Sequence, residues 1–212
     1  MQLARGELRD VRSMAQVYTA AFPESTAYYF ARSSSARLIR VVQYGLEILL
    51  LLGAEALVVK KSSGEIAGYC IYSGAKSQQK PLAVWPRVLG RALAASVRLR
   101  PSELMRLVHS RMIFMHSAKT EHPLPKKAGR ILSIAVHPNS QGQGLGTLLL
   151  KGALAELEPL PVLLEVRSDN PSAQALYHKS GFYRCGKTKD KLGEWIIMVR
   201  PGRDDGVRPS WT

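Results

Sequence analysis

Three glycines at alternate positions, Gly142, Gly144 and Gly146, close the stretch RILSIAVHPNSQGQGLGTLLL, in which a β-rich run passes through a turn into a helical run. Glycine lets the backbone approach a ligand closely, and a helix that starts there offers unpaired N–H groups and the positive end of its dipole. Such a turn suits a phosphate or diphosphate. A dinucleotide fingerprint requires G-x-G-x-x-G/A, but Gly142-x-Gly144 leads to Thr147, and the 137–141 gap is long for that tight turn. A nucleoside-triphosphate loop requires a G-K-[ST] ending, which is missing. Further on, LLEVRSDNPSAQALYHKSGF sets Glu165 in mid-strand among Leu163, Leu164 and Val166. Partial burial there raises a carboxylate's pKa toward the range of a general base. An ion pair of Glu165 with Arg130 or Arg167 is the competing structural role.

The chain has 212 residues, a formal net charge of +14 and 46% hydrophobic residues. This fits one folded domain, and the charge asks for an acidic partner: a nucleotide cofactor, a nucleic acid, an anionic lipid surface or an acidic substrate. The two cysteines, Cys70 and Cys185, form no metal-ligand spacing and no disulfide framework, so a reducing cytoplasm is expected. Neither sits in a recognisable nucleophile setting. His109, His116, His122, His137 and His178 are scattered, and no metal site is expected. The opening MQLARGELRDVRSM is too charged for a secretory signal. The most apolar run, 48–52, is far short of a membrane span and reads as a buried helix end.

The elements that must position these residues follow from periodicity. A short strand is expected over 3–8, a helix opening at Asp10 with Val11, Met14, Val17 and Tyr18 on one face, and a second helix over 34–52. Strands over 56–61 and 65–72 flank Ser62-Ser63-Gly64 as a hairpin. The segment 75–129 is read as a helical basic insertion: eleven basic and two acidic residues give it +9 of the net charge. Its expected core stripe is Val88, Leu89, Leu93, Leu104 and Leu107, beside a solvated basic face. A cationic lid over an anionic substrate and a membrane-contacting surface around Trp85, Ile113 and Phe114 are the alternatives. Strand 130–137, helix 144–157, strand 162–167, helix 172–179 and strands 182–187 and 195–200 complete a single domain over 1–200, and 201–212 reads as a flexible tail.

Gln141-x-x-Gly144-x-Gly146 behind an Ile-Ala-Val strand resembles the pyrophosphate-binding Q/R-x-x-G-x-G/A motif of the GNAT N-acetyltransferase superfamily. The pattern L-E-V-R-x-x-N…A-L-Y-x-x-x-G-F is similar to that of bacterial enzymes that acetylate the N-terminal alanine of a ribosomal protein. The resemblance covers 130–200 closely and the first 74 residues in element order. It implies an α/β fold with a mixed, largely antiparallel sheet flanked by helices and opened by a V-shaped splay. It further implies acetyl-CoA as cosubstrate, with diphosphate contacts from Gln141, Gly142, Gln143, Gly144, Gly146 and Thr147, pantetheine contacts from Ile134 and Val136, and further cofactor contacts from Asn170 and Ala173. Glu165 takes the place of the general base, Tyr177 that of the acid for the departing thiolate, and the Val136 N–H, at a bulge, that of the oxyanion donor. A packed aromatic sealing helix to sheet is the competing role of Tyr177.

The expected reaction is therefore direct acetyl transfer to a primary amine. Acceptor candidates are a small molecule bearing an amine and negative charge, such as an amino sugar nucleotide, and a protein N-terminus or lysine. The Tyr28-Tyr29-Phe30 and basic features suit other amines as well. Nucleic acid is disfavoured as a partner, no transmembrane segment is expected, a homodimer is compatible with the resemblance, and the location is cytoplasmic. The rival reading is a non-catalytic acyl-CoA sensor or a basic module that binds nucleic acid or membrane.

Overall fold

The computed structural model describes residues 1–30, 33–74, 82–121 and 123–203; Lys76, Lys80, Pro81, His122 and most of the expected tail lie outside them. Among the described residues eight strands, β1 (Gln2–Gly6), β2 (Glu55–Lys60), β3 (Ile66–Ser73), β4 (Lys119–Thr120), β5 (Gly129–Val136), β6 (Val162–Arg167), β7 (Tyr183–Asp190) and β8 (Gly193–Arg200), form one sheet. Its order is β1-β2-β3-β5-β6-β8-β7-β4, and every neighbouring pair is antiparallel except β5 and β6. Seven helices of the same residues accompany it: α1 (Val11–Ala21), α2 (Pro23–Phe30), α3 (Ser35–Leu51), α4 (Trp85–Ser96), α5 (Pro101–Ser117), α6 (Leu145–Leu157) and α7 (Pro171–Lys179). The mixed, largely antiparallel sheet expected from the sequence is present.

Each face of the sheet carries its own core because strand side chains alternate. On one face Leu57, Val59, Ala67 and Cys70 pack with Leu149, Leu150, Ala153 and Leu157 of α6 and with Tyr177 of α7. On the other, Val58, Tyr69, Ile71 and Ala135 pack against Val11, Met14 and Val17 of α1 and Leu46 of α3. Full burial of one such aliphatic chain is worth about 1.5–3 kcal/mol. The helix end at 48–52 is only half-buried, since α3 lies at the edge of this second core.

Strands β5 and β6 pair only at Gly129 with Val162 and Arg130 with Leu163, then diverge. The register of β5 on β3 shifts between Ile71 paired with Ser133 and Tyr72 paired with Ile131, so Leu132 is the extra, bulged residue. Bulges bend their strand, and the Tyr69 hydroxyl, 2.9 Å from the Ser133 hydroxyl, ties the bend to β3. This is the expected splay, and it opens a V in the middle of the sheet.

The segment expected to hold a core stripe differs from expectation. Val88 is buried, but Leu89, Leu93 and Leu104 are exposed and Leu107 is half-buried. The reason is that α4 rests on α3 through few apolar side chains, while α5 is fastened by polar contacts. Arg37 of α3 reaches Glu103 at 2.8 Å, and the Tyr29 hydroxyl lies 2.6 Å from that of Ser110. Among the described residues no helix is long and apolar enough to cross a membrane.

Candidate active site

The V holds a cleft of about 890 Å³ lined by β5, the glycine turn, β6, α7 and the junction of α1 with α2. Along β5, His137 N donates to Ala67 O at 2.8 Å. The alternation of an antiparallel ladder then turns the N–H and C=O groups of Ala135 and Ser133 toward β3. Those of Ile134 and Val136 point the other way, into the gap that β6 has left. The Val136 carbonyl accepts a hydrogen bond from Gln141 Nε2 at 3.1 Å, which pins the turn to the strand end.

Gly142 and Gly144 both have φ of +74°, a conformation that strains any residue with a side chain, although nothing lies within 4 Å of the point where a Cβ would stand at either position. The glycines are thus required by backbone angle rather than by space. Gly144 is the N-cap of α6, and Leu148 N makes the helix's first return bond to Gly144 O at 3.0 Å. The N–H groups of Leu145, Gly146 and Thr147 precede that bond and carry the positive end of the helix dipole.

Of the residues singled out in the sequence, Ile134, Val136, Gln141, Gly142, Gly144, Gly146, Thr147, Glu165, Asn170, Ala173 and Tyr177 all line this cleft. Gln143 is exposed and is not part of the lining. Asn170 also caps α7, its side chain accepting from Ala173 N at 3.0 Å.

Glu165 and Tyr177 approach the gap from opposite faces of β6. Val162, Leu164 and Val166 point to the α6 and α7 face, where Tyr177 is packed, so Glu165 points to the α1 and α2 face. Burial pushes the Glu165 carboxyl above its usual range, while Arg130 and Arg111 pull it back. Arg130 is 3.7 Å away and half-exposed. Of the two ion-pair partners considered for Glu165, Arg130 is therefore the one in contact; Arg167 turns to Asp169 and Glu24 instead. Burial raises the Tyr177 phenol as well, which keeps it protonated, and its ring meets Phe182 edge-on at 5.8 Å.

The far wall was not legible in the sequence. Tyr18, Phe22, Pro23, Glu24 and Ser25 line it from the α1–α2 junction, with Arg167 and Trp195 from the sheet and Asp169 from the turn after β6. These residues share no local motif; the register of β6 on β8, which sets Arg167 opposite Trp195, brings them together. Helix α5 supports this wall from behind: Arg106 binds Tyr28 O at 3.0 Å, and Phe114 meets Trp195 at 6.0 Å between ring centres. No described residue of α4 or α5 lines the cleft itself, although the charge of Arg111 on α5 is felt by Glu165.

The family model for the Acetyltransferase (GNAT) family matches residues 14–182. Over 80 residues the chain is 38% identical to mycothiol acetyltransferase of Geodermatophilus obscurus, covering 35% of this chain and 26% of that protein. Over another 80-residue alignment it is 47% identical to the [ribosomal protein bS18]-alanine N-acetyltransferase of Escherichia coli K12, covering 34% of this chain and 54% of that protein. The matched stretches thus span about half or less of these curated relatives. Among solved structures, yncA of Salmonella typhimurium, determined with its cofactor acetyl-CoA, is similar with a TM-score of 0.55 and 15% identity, covering 99% of this chain and 98% of that one.

Proposed function

This chain belongs to the acetyltransferase (GNAT) family, and from that premise we propose that it moves the acetyl group of acetyl-CoA to a primary amine by direct attack. The observation that carries the reading is the splay of β5 from β6, with free helix N–H groups at its mouth and a carboxylate and a phenol at its sides. In this reading the amides of the Gly142–Gly146 turn and the α6 N-terminus grip the diphosphate. Ile134 and Val136 offer the gap-facing groups of β5 to the pantetheine arm as an added strand would.

The reaction needs a neutral amine, but an amine with a pKa near 10 is mostly protonated at pH 7. Glu165, its proton affinity raised by burial, takes that proton directly or through a water. The nitrogen then bonds to the thioester carbon, and a β5 N–H steadies the negative charge that develops on oxygen. Val136 N–H, the donor expected from the resemblance, and Ile134 N–H both face the gap, and the bulge of β5 lies at Leu132 rather than at Val136. As the C–S bond breaks, Tyr177 donates its phenolic proton to the departing sulfur, and the second proton shed by the acylated nitrogen returns to the phenolate through water. Holding amine and thioester together removes about 7–11 kcal/mol of the barrier. Neither thiol competes as a nucleophile: burial pushes Cys70 up to about 12 and Cys185 up to about 11, so both stay protonated at neutral pH.

The test is a thiol-release assay with acetyl-CoA against a panel of amines, paired with calorimetry of CoA binding. Turnover above background hydrolysis with at least one amine is expected. Tight CoA binding with no acetylated amine would favour the sensor reading, and the absence of CoA binding would remove both.

A further inference from the structure

Arg167 and Trp195 are cross-strand partners on β6 and β8, with the guanidinium carbon 6.0 Å from the indole centre. Arg167 binds Asp169 through Nε at 2.9 Å and through Nη2, and the same Nη2 lies 3.9 Å from Glu24. Its remaining nitrogen, Nη1, is buried without a hydrogen-bond partner among the described residues, and so is Trp195 Nε1. Buried donors left unmade weaken a fold, and proteins leave few of them. Here two such donors belong to adjacent side chains that line the same cleft as Glu165.

We propose that Arg167 Nη1 and Trp195 Nε1 form a subsite for a neutral carbonyl oxygen of the acceptor, next to the amine that Glu165 deprotonates. Two facts set the chemistry. Both groups are donors only, so their ligand is an acceptor atom. The guanidinium charge is already balanced by Asp169 and faced by Glu24, so a neutral oxygen is favoured over a carboxylate or phosphate, which those two carboxylates repel. Spacing sets the position: Glu165 and Arg167 lie on one face of β6, two residues apart, about 7 Å between Cα atoms. Converging side chains across that distance fit an amine and an oxygen two or three bonds apart, as in an α-amino amide. The subsite selects amines that carry an adjacent amide carbonyl over simple alkylamines and over anionic amines, even though the net charge of the chain points the other way.

The proposal rests on the reading of the cleft as an amine-acetylation site, and the experiment separates the two. Alaninamide, isopropylamine and free alanine share a branched amine and differ in the oxygen. Titrated into 15N-labelled protein with CoA present, alaninamide is expected to shift the Trp195 indole N–H resonance, identified by its loss in Trp195→Phe; isopropylamine is not. In steady-state assays Trp195→Phe and Arg167→Lys, each checked for a wild-type melting profile, are expected to raise the KM for alaninamide by about 10-fold to 100-fold. The KM for acetyl-CoA should hold, and the loss with isopropylamine should be clearly smaller than that with alaninamide. An indole resonance that ignores alaninamide overturns the proposal, as does tighter binding of alanine than of alaninamide, or an equal loss with alaninamide and isopropylamine. If no amine is acetylated, the proposed function falls, and the indole titration still decides the subsite by itself.

Discussion

The β5 wall of the cleft presents backbone, and the opposite wall presents side chains. On the first, Ile134, Val136 and the N–H groups of Leu145, Gly146 and Thr147 offer main-chain donors held by a strand register and a left-handed turn. On the second, Glu24, Arg167, Asp169 and Trp195 come from the start of α2, the end of β6, the loop beyond it and β8. A main-chain site tolerates change in almost every side chain except where the backbone angle demands glycine. A side-chain site depends on each member's identity. The first wall therefore suits a cosubstrate part that never changes, and the second suits an acceptor that differs from one relative to another.

The sharpest way to break this contrast is at the turn. Gly144→Asp keeps a residue type that visits the left-handed region more readily than most, and nothing lies within 4 Å of the position its Cβ would take, so the fold should survive. The new carboxylate, however, sits at a helix N-terminus where the diphosphate would bind. Calorimetry is expected to register a loss of CoA affinity of more than about 100-fold through charge repulsion, while the residual strain of roughly 1–2 kcal/mol weighs on the fold in the free and bound states alike. Unchanged CoA affinity would mean that the diphosphate is held elsewhere.

Next in size is the base. Glu165→Gln preserves shape and removes proton affinity, and a fall of about 10²–10⁴-fold in kcat is expected, with the KM for acetyl-CoA unmoved. An equal rise in that KM would reassign Glu165 to binding. Tyr177→Phe is expected to lower kcat by about 10²-fold, because the ring packing against Phe182 survives while the proton donor is gone. A fully active Tyr177→Phe protein would leave Tyr177 the role of a packed aromatic.

The same contrast explains what the sequence disclosed. Gly142, Gly144 and Gly146 behind an apolar strand are a local code, because one strand, one turn and one helix contain the whole arrangement. The strands other than β4, a two-residue edge strand inside the segment read as helical, were readable for the same reason, and Glu165 and Tyr177 could be named through the resemblance of L-E-V-R-x-x-N…A-L-Y-x-x-x-G-F to the family pattern. Helix α2 was missed: PESTAYYF has no apolar period, and the helix is held by Tyr29 and Tyr28 against α5 rather than by a greasy face. Arg167 and Trp195 are 28 positions apart in the numbering and meet only through strand pairing. The apolar positions of α4 and α5 have helical spacing, but spacing alone does not say whether anything packs on the stripe, and Leu89, Leu93 and Leu104 face solvent.

The smallest expected effect lies where the two walls meet, at Arg130, whose guanidinium is 3.7 Å from Glu165. Burial raises the Glu165 pKa, so the base is lost as pH falls through a value above the usual carboxylate range of about 4.3. The acidic limb of the kcat/KM profile should therefore lie above that value. Arg130 stabilises the carboxylate and works against burial, so Arg130→Gln removes a lowering influence and should move the limb to still higher pH. Arg111 remains to oppose the rise. Because Arg130 is half-exposed, added salt should screen it, moving the wild-type limb in the same direction and the variant's limb less. A limb that stays fixed in both tests would mean that the group titrating in the profile is not Glu165, and the base would then have to be sought among the side chains of the opposite wall.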